Sequence, residues 1–384
     1  MRKIVWLGLA VIIFLCSACG GNPDSLPPRD EPPPISKPST ETITLAVMGD
    51  FLMHMPVVYS VRNPETGRYE FGTIFEPVRE LISAADYSIA NLETRLAGEA
   101  VGYSGYPRFN CPTDLAAEMR RVGLDMFLTA NNHSLDRGVE GVINTNRNLA
   151  EAGLDYIGTY VTEAEKNTPF VKEIRGVRLG IMNYTEHTNG LTVPKDKPFL
   201  VNIYDPAEIQ REIALLQDAG ADIIIACIHF GTEYSREPHE GQLEKVNFLF
   251  DAGVDVVVGN HVHVVQPVLI KTVVSSGMER KKIAAFSLGN FISNQRWRYS
   301  DSGLLLQLSI TKNMDSGETI LTGHELTPVW VHTYLENGRN KYRVLPVNQF
   351  VESYANGNDR HLTKADYQRL KQVADELNSD FLIR

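Results

Sequence analysis

One five-residue junction recurs four times and fixes the fold class. It reads Arg121-Val122-Gly123-Leu124-Asp125, Glu151-Ala152-Gly153-Leu154-Asp155, Asp218-Ala219-Gly220-Ala221-Asp222 and Asp251-Ala252-Gly253-Val254-Asp255. Each time an amphipathic stretch runs up to the glycine, and an apolar run follows: MFLT, YIGTY, IIIACI or VVVG. Glycine takes the left-handed conformation just past a helix end without strain. An unbroken apolar run reads as a strand buried on both faces. The repeats are therefore helix-to-strand junctions, and alternating helices and strands make an α/β fold. Further strands are expected at Thr42–Met48, Tyr87–Asn91, Val177–Tyr184 and Lys282–Ser287. After Gly303 the pattern changes. LLLQLSIT, TILTGHELTPVWV and KYRVLPV read as antiparallel strands, and a last helix fits Lys364–Leu377.

With 384 residues, 43% of them apolar, the chain can bury a large core without disulfide or metal staples. A net charge of −10 argues against nucleic acid or any other polyanion held by bulk charge. Four cysteines exclude a disulfide scaffold, and Cys111 and Cys227 are expected as free thiols. The chain opens with Arg2 and Lys3, an apolar run from Ile4 to Leu15, and Cys16-Ser17-Ala18-Cys19-Gly20. That order reads as a secretory signal. Small residues before a cysteine resemble the bacterial lipoprotein signal. Residues 1–19 are accordingly expected to be a signal peptide ending at a lipidated Cys19, with an ordinary cleaved signal or an uncleaved anchor as alternatives. The expected location is the outer face of the cell membrane. Residues 20–41 hold seven prolines and almost nothing apolar, which reads as an extended tether.

Polar residues gather where the expected strands end. The strands deliver Gly49-Asp50, Asn91-Leu92-Glu93, Asn131-Asn132-His133, His229, and Gly259-Asn260-His261-Val262-His263. In α/β sheets, sites form at the carboxyl ends of strands. Taken singly, Gly-Asp reads as a turn, Glu93 as a solvated carboxylate and His229 as a core histidine. His261 and His263 alternate, which on a strand puts both rings on one face. Together the set offers carboxylate, amide oxygen and imidazole, a mixture that suits Mn, Fe or Zn.

The ordered motifs resemble the calcineurin-like metallophosphoesterase superfamily, whose pattern is Asp-x-His, Gly-Asp, Gly-Asn-His, His, Gly-His-x-His. They are more closely similar to the bacterial capsule-synthesis CapA family, linked to poly-γ-glutamate. The matching segments are GDFLMH at 49–54, ANLET at 90–94, ANNHSLDRG at 130–138, HFGTEY at 229–234, GNHVHVVQ at 259–266 and SLGNF at 287–291. The resemblance implies a four-layer α/β/β/α sandwich over residues 42–300, with residues 301–384 adding strands to the second sheet and a terminal helix. It implies one or two divalent ions: Asp50 and His263 on one, Asn132, His229 and His261 on the other, and Glu93 between them. His133 would donate a proton to the leaving oxygen. Asn91, Glu233, Tyr234, Gln242, Ser287 and Asn290 would support the site or touch substrate. Two positions depart from the superfamily: Leu52 stands where Asp-x-His places its histidine, and Glu93 replaces an aspartate. His54, two residues late, is not assigned as a ligand. The implied partners are an anionic polymer or phosphoester as substrate, and capsule ligase or export proteins in the membrane. Two functional classes stay open: a metal-dependent hydrolase, and a non-catalytic component of a polymer assembly complex.

Overall fold

The computed structural model describes residues 39–275 and 278–383. In chain order the strands are β1 (Thr40–Phe51), β2 (Tyr87–Asn91), β3 (Met126–Leu128), β4 (Asp155–Ile157), β5 (Val171–Ile174), β6 (Val177–Thr185) and β7 (Ile223–His229). They continue as β8 (Val256–Asn260), β9 (Val265–Ser275), β10 (Met278–Leu288), β11 (Asn290–Ile292), β12 (Ser302–Asn313), β13 (Thr319–Glu336) and β14 (Arg339–Pro346). One sheet runs β14-β13-β12-β1-β2-β3-β4, with β11 joined to the end of β1. The other runs β5-β6-β7-β8-β10-β9.

The sheets pack face to face. Leu45 and Val47 of β1 share one buried cluster with Leu179 and Ile181 of β6, Ile225 of β7 and Val258 of β8. The alternate residues of β1, Ala46 and Met48, face a second cluster built on Leu115 and Met119 of the helix Asp114–Val122. On the far side, Met182, Ala226 and Val257 pack on Ile213 and Leu249 of the helices Pro206–Asp218 and Glu240–Asp251. Strands covered on both faces need apolar residues at every position, which explains the unbroken runs. The result is the expected α/β/β/α sandwich.

The recurring junction sets strand register. Gly123, Gly153, Gly220 and Gly253 have φ of 113°, 75°, 78° and 110°. After each, the next N–H reaches back to a helix carbonyl at 3.0 Å: Leu124 to Met119, Leu154 to Leu149, Ala221 to Leu216, Val254 to Leu249. This is the six-to-one closure of a left-handed helix end. The aspartate then accepts a backbone N–H at the start of the neighbouring strand. Asp125 takes Ser88 at 3.0 Å, Asp222 takes Arg178 at 2.8 Å and Asp255 takes Ile224 at 2.9 Å. Asp155 instead accepts the Tyr87 hydroxyl at 2.6 Å and Lys172 at 2.7 Å. Strands that start in step end in step, so their carboxyl ends lie along one edge.

Three expectations are corrected. The strands after Gly303 do not complete the second sheet. β12 runs antiparallel beside β1 from Thr40↔Asn313 to Met48↔Leu305, so β12–β14 extend the first sheet. A strand with both faces apolar fits either sheet, and the edge of β1 is where this one pairs. Nor is there a boundary at residue 300, because the described residues form one compact unit. Thr40 and Glu41, read as the end of the tether, are the first residues of β1. The signal peptide, Cys19 and residues 20–38 of the tether lie outside the described residues. The expected last helix spans Lys364–Glu376, preceded by a further helix at Val347–Ala355 and followed by a short one at Ser379–Leu382. Among the described residues no helix is long and apolar enough to cross a membrane.

Candidate metal centre

The carboxyl ends of β1, β2, β7 and β8 bring the ligand candidates together. Asp50 sits near the end of β1, where its N–H donates to Gly289 O at 2.9 Å. The approach is so close that a Cβ on Gly49 would lie 1.9 Å from that oxygen. Ser287 shapes the same turn by accepting the Gly289 N–H at 3.1 Å. Glu93 follows β2 directly. The Leu92 carbonyl beside it accepts from Asn131 Nδ2 at 2.7 Å and from the buried Arg95 guanidinium at 2.8 Å.

Two triads share one carboxylate. Glu93, His229 and His261 bring one ligand atom each within 4.8 Å of one another, and so do Asp50, Glu93 and His263. Asp50 Oδ2 lies 3.2 Å from His263 Nδ1, and Asn91 Nδ2 donates to Asp50 Oδ1 at 2.8 Å. Asn132 Oδ1 lies 3.0 Å from His229 Nε2. Glu93 Oε1 is 3.6 Å from His229 Nε2 and 3.8 Å from His263 Nε2. Neither Glu93 oxygen has a hydrogen-bond partner although the residue is fully buried, and His261 Nδ1 is also buried and unpartnered. Burial, then the nearby Asp50, Glu233 and Asp136, push the Glu93 carboxyl well above the ordinary glutamate range. Burial first, and the crowding of His261 and His263, hold His229 well below the usual imidazole value. His261 is pulled down to about 3, chiefly by burial. Neutral imidazoles around an orphaned carboxylate are a donor set that a divalent cation completes.

His133 stands beside the triads and belongs to neither. Its Nδ1 lies 2.8 Å from Asp136 Oδ2, which also accepts the Phe109 N–H at 2.6 Å. Phe109 packs edge-on against the His133 ring at 4.7 Å between centroids. A cleft of about 920 Å³ opens over Asn132, His133 and His263. Tyr106, Arg108 and Phe109 from the loop after β2 line it, as do Glu233, Tyr234 and Trp297. The Gly/Tyr/Pro-rich segment 102–112 thus borders the site.

The family model described as "Bacterial capsule synthesis protein PGA_cap" matches residues 44–295. The chain belongs to that family. It is 28% identical to the PGA biosynthesis protein CapA of Bacillus subtilis over 314 residues, covering 79% of this chain and 76% of that protein. It is 26% identical to the capsule biosynthesis protein CapA of Bacillus anthracis over 298 residues, covering 75% and 68%. Among solved structures, a phosphatase from Mycoplasma pneumoniae is 16% identical with a TM-score of 0.44, covering 76% of this chain and 94% of that one.

All six PGA_cap motifs of the chain fall inside the matched segment, and the fold gives several of them specific duties. His261 and His263 do not converge by strand alternation. β8 ends at Asn260, and the two histidines take φ of 104° and 60° in the bend beyond it. Each therefore faces a different triad around Glu93. Gln242 is no substrate contact: it is fully buried, caps the helix Glu240–Asp251 with His239, and donates to Gln266 Oε1 at 2.9 Å. Asn290 is buried and donates to Gln295 Oε1 at 2.9 Å and to Ser300 O at 2.8 Å, which ties down the segment after β11. Ser287 and Asn290 thus support the site without reaching the cleft. Glu233 and Tyr234 line it. Leu52 also lines it, and His54 joins neither triad. Its Nδ1 lies 3.2 Å from Leu52 O, and burial lowers the ring to about 4. Asp136 escaped notice because an aspartate in a loop reads as a turn residue. His187, whose ring stands 5.2 Å from that of His261, lies in a loop with no motif of its own.

Proposed function

We propose that this PGA_cap chain is a metal-dependent hydrolase held at the outer membrane face by a lipid on Cys19, acting on a phosphoester or on a carboxylate-bearing polymer of the capsule. The observation that carries the reading is the buried Glu93 carboxylate, with both oxygens unpartnered, between two sets of imidazoles. Asp50, Glu93 and His263 would hold one ion, and Glu93, His229, His261 and Asn132 a second. Mn, Fe or Zn fits these donors. A bound divalent ion supplies Lewis-acid polarisation of a phosphoryl or acyl oxygen and acidifies water.

The side chains do the rest. Asn91 fixes the Asp50 carboxylate by donating to its Oδ1. Asp136 accepts from His133 Nδ1, which leaves Nε2 to carry the proton delivered to the leaving oxygen. Phe109 holds that ring edge-on and shields its contact with Asp136 from water.

Leu52, where the superfamily has a histidine, favours a second reading: a non-catalytic component of a polymer assembly complex. One experiment separates the two. Bound metal and hydrolysis of a phosphodiester and of poly-γ-glutamate are measured for His133→Ala and His261→Ala. The hydrolase reading expects full metal with turnover down ~10²–10⁴-fold for His133→Ala, and reduced metal for His261→Ala. Metal binding with no turnover of either substrate by the unaltered protein would favour the second.

A further inference from the structure

We propose that His54 contacts the substrate: its Nε2 accepts a hydrogen bond from a hydroxyl beside the leaving oxygen, so the cleft prefers phosphoesters of polyols and sugars. The inference rests on the cleft being the working site of a hydrolase, and adds what the leaving group must carry.

His54 belongs to the first motif, GDFLMH, yet neither triad uses it. The backbone on both sides of it is pinned. The Leu52 N–H donates to Ile292 O at 2.9 Å, and the His54 carbonyl accepts from Val57 at 3.0 Å and from Val58 at 3.2 Å as the helix Met55–Ser60 begins. His54 is the N-cap of that helix, a place where the side chain ordinarily turns back to bond the first free N–H groups. Here it makes no capping bond, and the residue lines the cleft instead. A polar ring held by a fixed backbone at the edge of a site is preorganised for a ligand.

The ring's protein contacts all fall on one nitrogen. Leu52 O lies 3.2 Å from Nδ1, and the Asn294 N–H and Ser293 Oγ approach it at 3.4 and 3.5 Å. Among the described residues Nε2 has no partner. The carbonyl is the nearest of the three and can only accept, so Nδ1 carries the hydrogen and Nε2 the lone pair. Burial lowers the ring to about 4, which keeps it neutral at physiological pH and unable to donate from Nε2. His54 and His133 both stand perpendicular to Phe109, with centroids 5.3 and 4.7 Å from its own. Phe109 thus spaces two imidazoles along one side of the cleft, and their partners give them different duties. His133 faces the Asp136 carboxylate and can deliver a proton. His54 faces a neutral carbonyl and only accepts. An alcohol leaving group with a second hydroxyl on the next carbon serves both. The exposed rings of Tyr234 and Trp297 on the same lining suit the carbon skeleton of such an alcohol.

The test gives Mn-loaded protein three phosphate esters: ethylene glycol monophosphate, its methyl ether, and propyl phosphate. The glycol ester offers a hydroxyl donor, the ether only an acceptor, and the propyl ester neither. Both kcat/KM and calorimetric affinity are measured. The unaltered protein is expected to favour the glycol ester about tenfold over the other two, the worth of one hydrogen bond. His54→Phe keeps a ring against Phe109 and should abolish that ratio, while His54→Gln, which retains an acceptor, should keep part of it. Bound metal should stay full in both variants. An ether ester that matches the glycol ester would assign Nε2 the hydrogen and overturn the contact, as would loss of metal in His54→Phe. A His54-dependent preference in affinity without turnover of any ester keeps the contact and sinks the hydrolase reading. Turnover with no preference among the esters does the reverse.

Discussion

Replacing Glu93 by Gln should move stability in opposite directions with and without metal. The Glu93 carboxyl is fully buried, unpartnered, and raised well above the ordinary range by burial and by Asp50. An acid whose folded value is raised binds its proton more tightly in the fold than in the unfolded chain. Metal-free protein therefore loses stability as pH rises past the unfolded glutamate value, and the loss levels off above the folded value. An ionised, unpaired buried group costs several kcal/mol. A buried glutamine amide without partners costs about 1–3 kcal/mol. The difference leaves metal-free Glu93→Gln about 1–3 kcal/mol more stable than the unaltered protein at neutral pH, or about 1–4 °C in Tm. With Mn at a hundred times its Kd, the unaltered protein gains about 2.7 kcal/mol per site, and the order reverses. The assay is thermal unfolding from pH 5 to 8, in chelator and in Mn. A metal-free variant less stable than the unaltered protein at every pH would refute the argument, because Glu93 would then have partners in the fold.

Other expectations concern the scaffold. Gly49→Ala puts a Cβ 1.9 Å from Gly289 O, so it should cost more than ~4 kcal/mol and show as loss of soluble protein or a large fall in Tm. Gln242→Ala should lower stability by ~1–3 kcal/mol through the lost cap and the lost Gln266 contact, while bound metal stays unchanged by elemental analysis. Cys111 and Cys227 are buried free thiols, with Cys227 pushed up to about 12 by burial. Neither should react with a thiol reagent at pH 8 until denaturant is added.

Much of this architecture is legible in local sequence. The Gly-x-Asp junctions announce both helix ends and strand starts, because a left-handed glycine and a register-setting aspartate are each needed at one place. The ligand set is legible because successive strand ends must share an edge. Pairing at a distance is not. The segments after Gly303 carry the same apolar pattern whichever sheet they join, and only the edge of β1 decides. The convergence of His261 and His263 depends on two left-handed residues that no pattern marks. Gln242 and Asn290 sit in site motifs, and which part they play is set by packing: their buried amides hold a helix start and a loop.

The most direct test is anomalous scattering from crystals of the full protein loaded with Mn. Two peaks are predicted, one contacted by Asp50, Glu93 and His263 and one by Glu93, His229 and His261, with Glu93 common to both. A single peak that still engages Glu93 would reduce the centre to one ion. No peak within reach of Glu93 at saturating Mn would contradict the account, leaving the buried carboxylate protonated and the cleft without its metal.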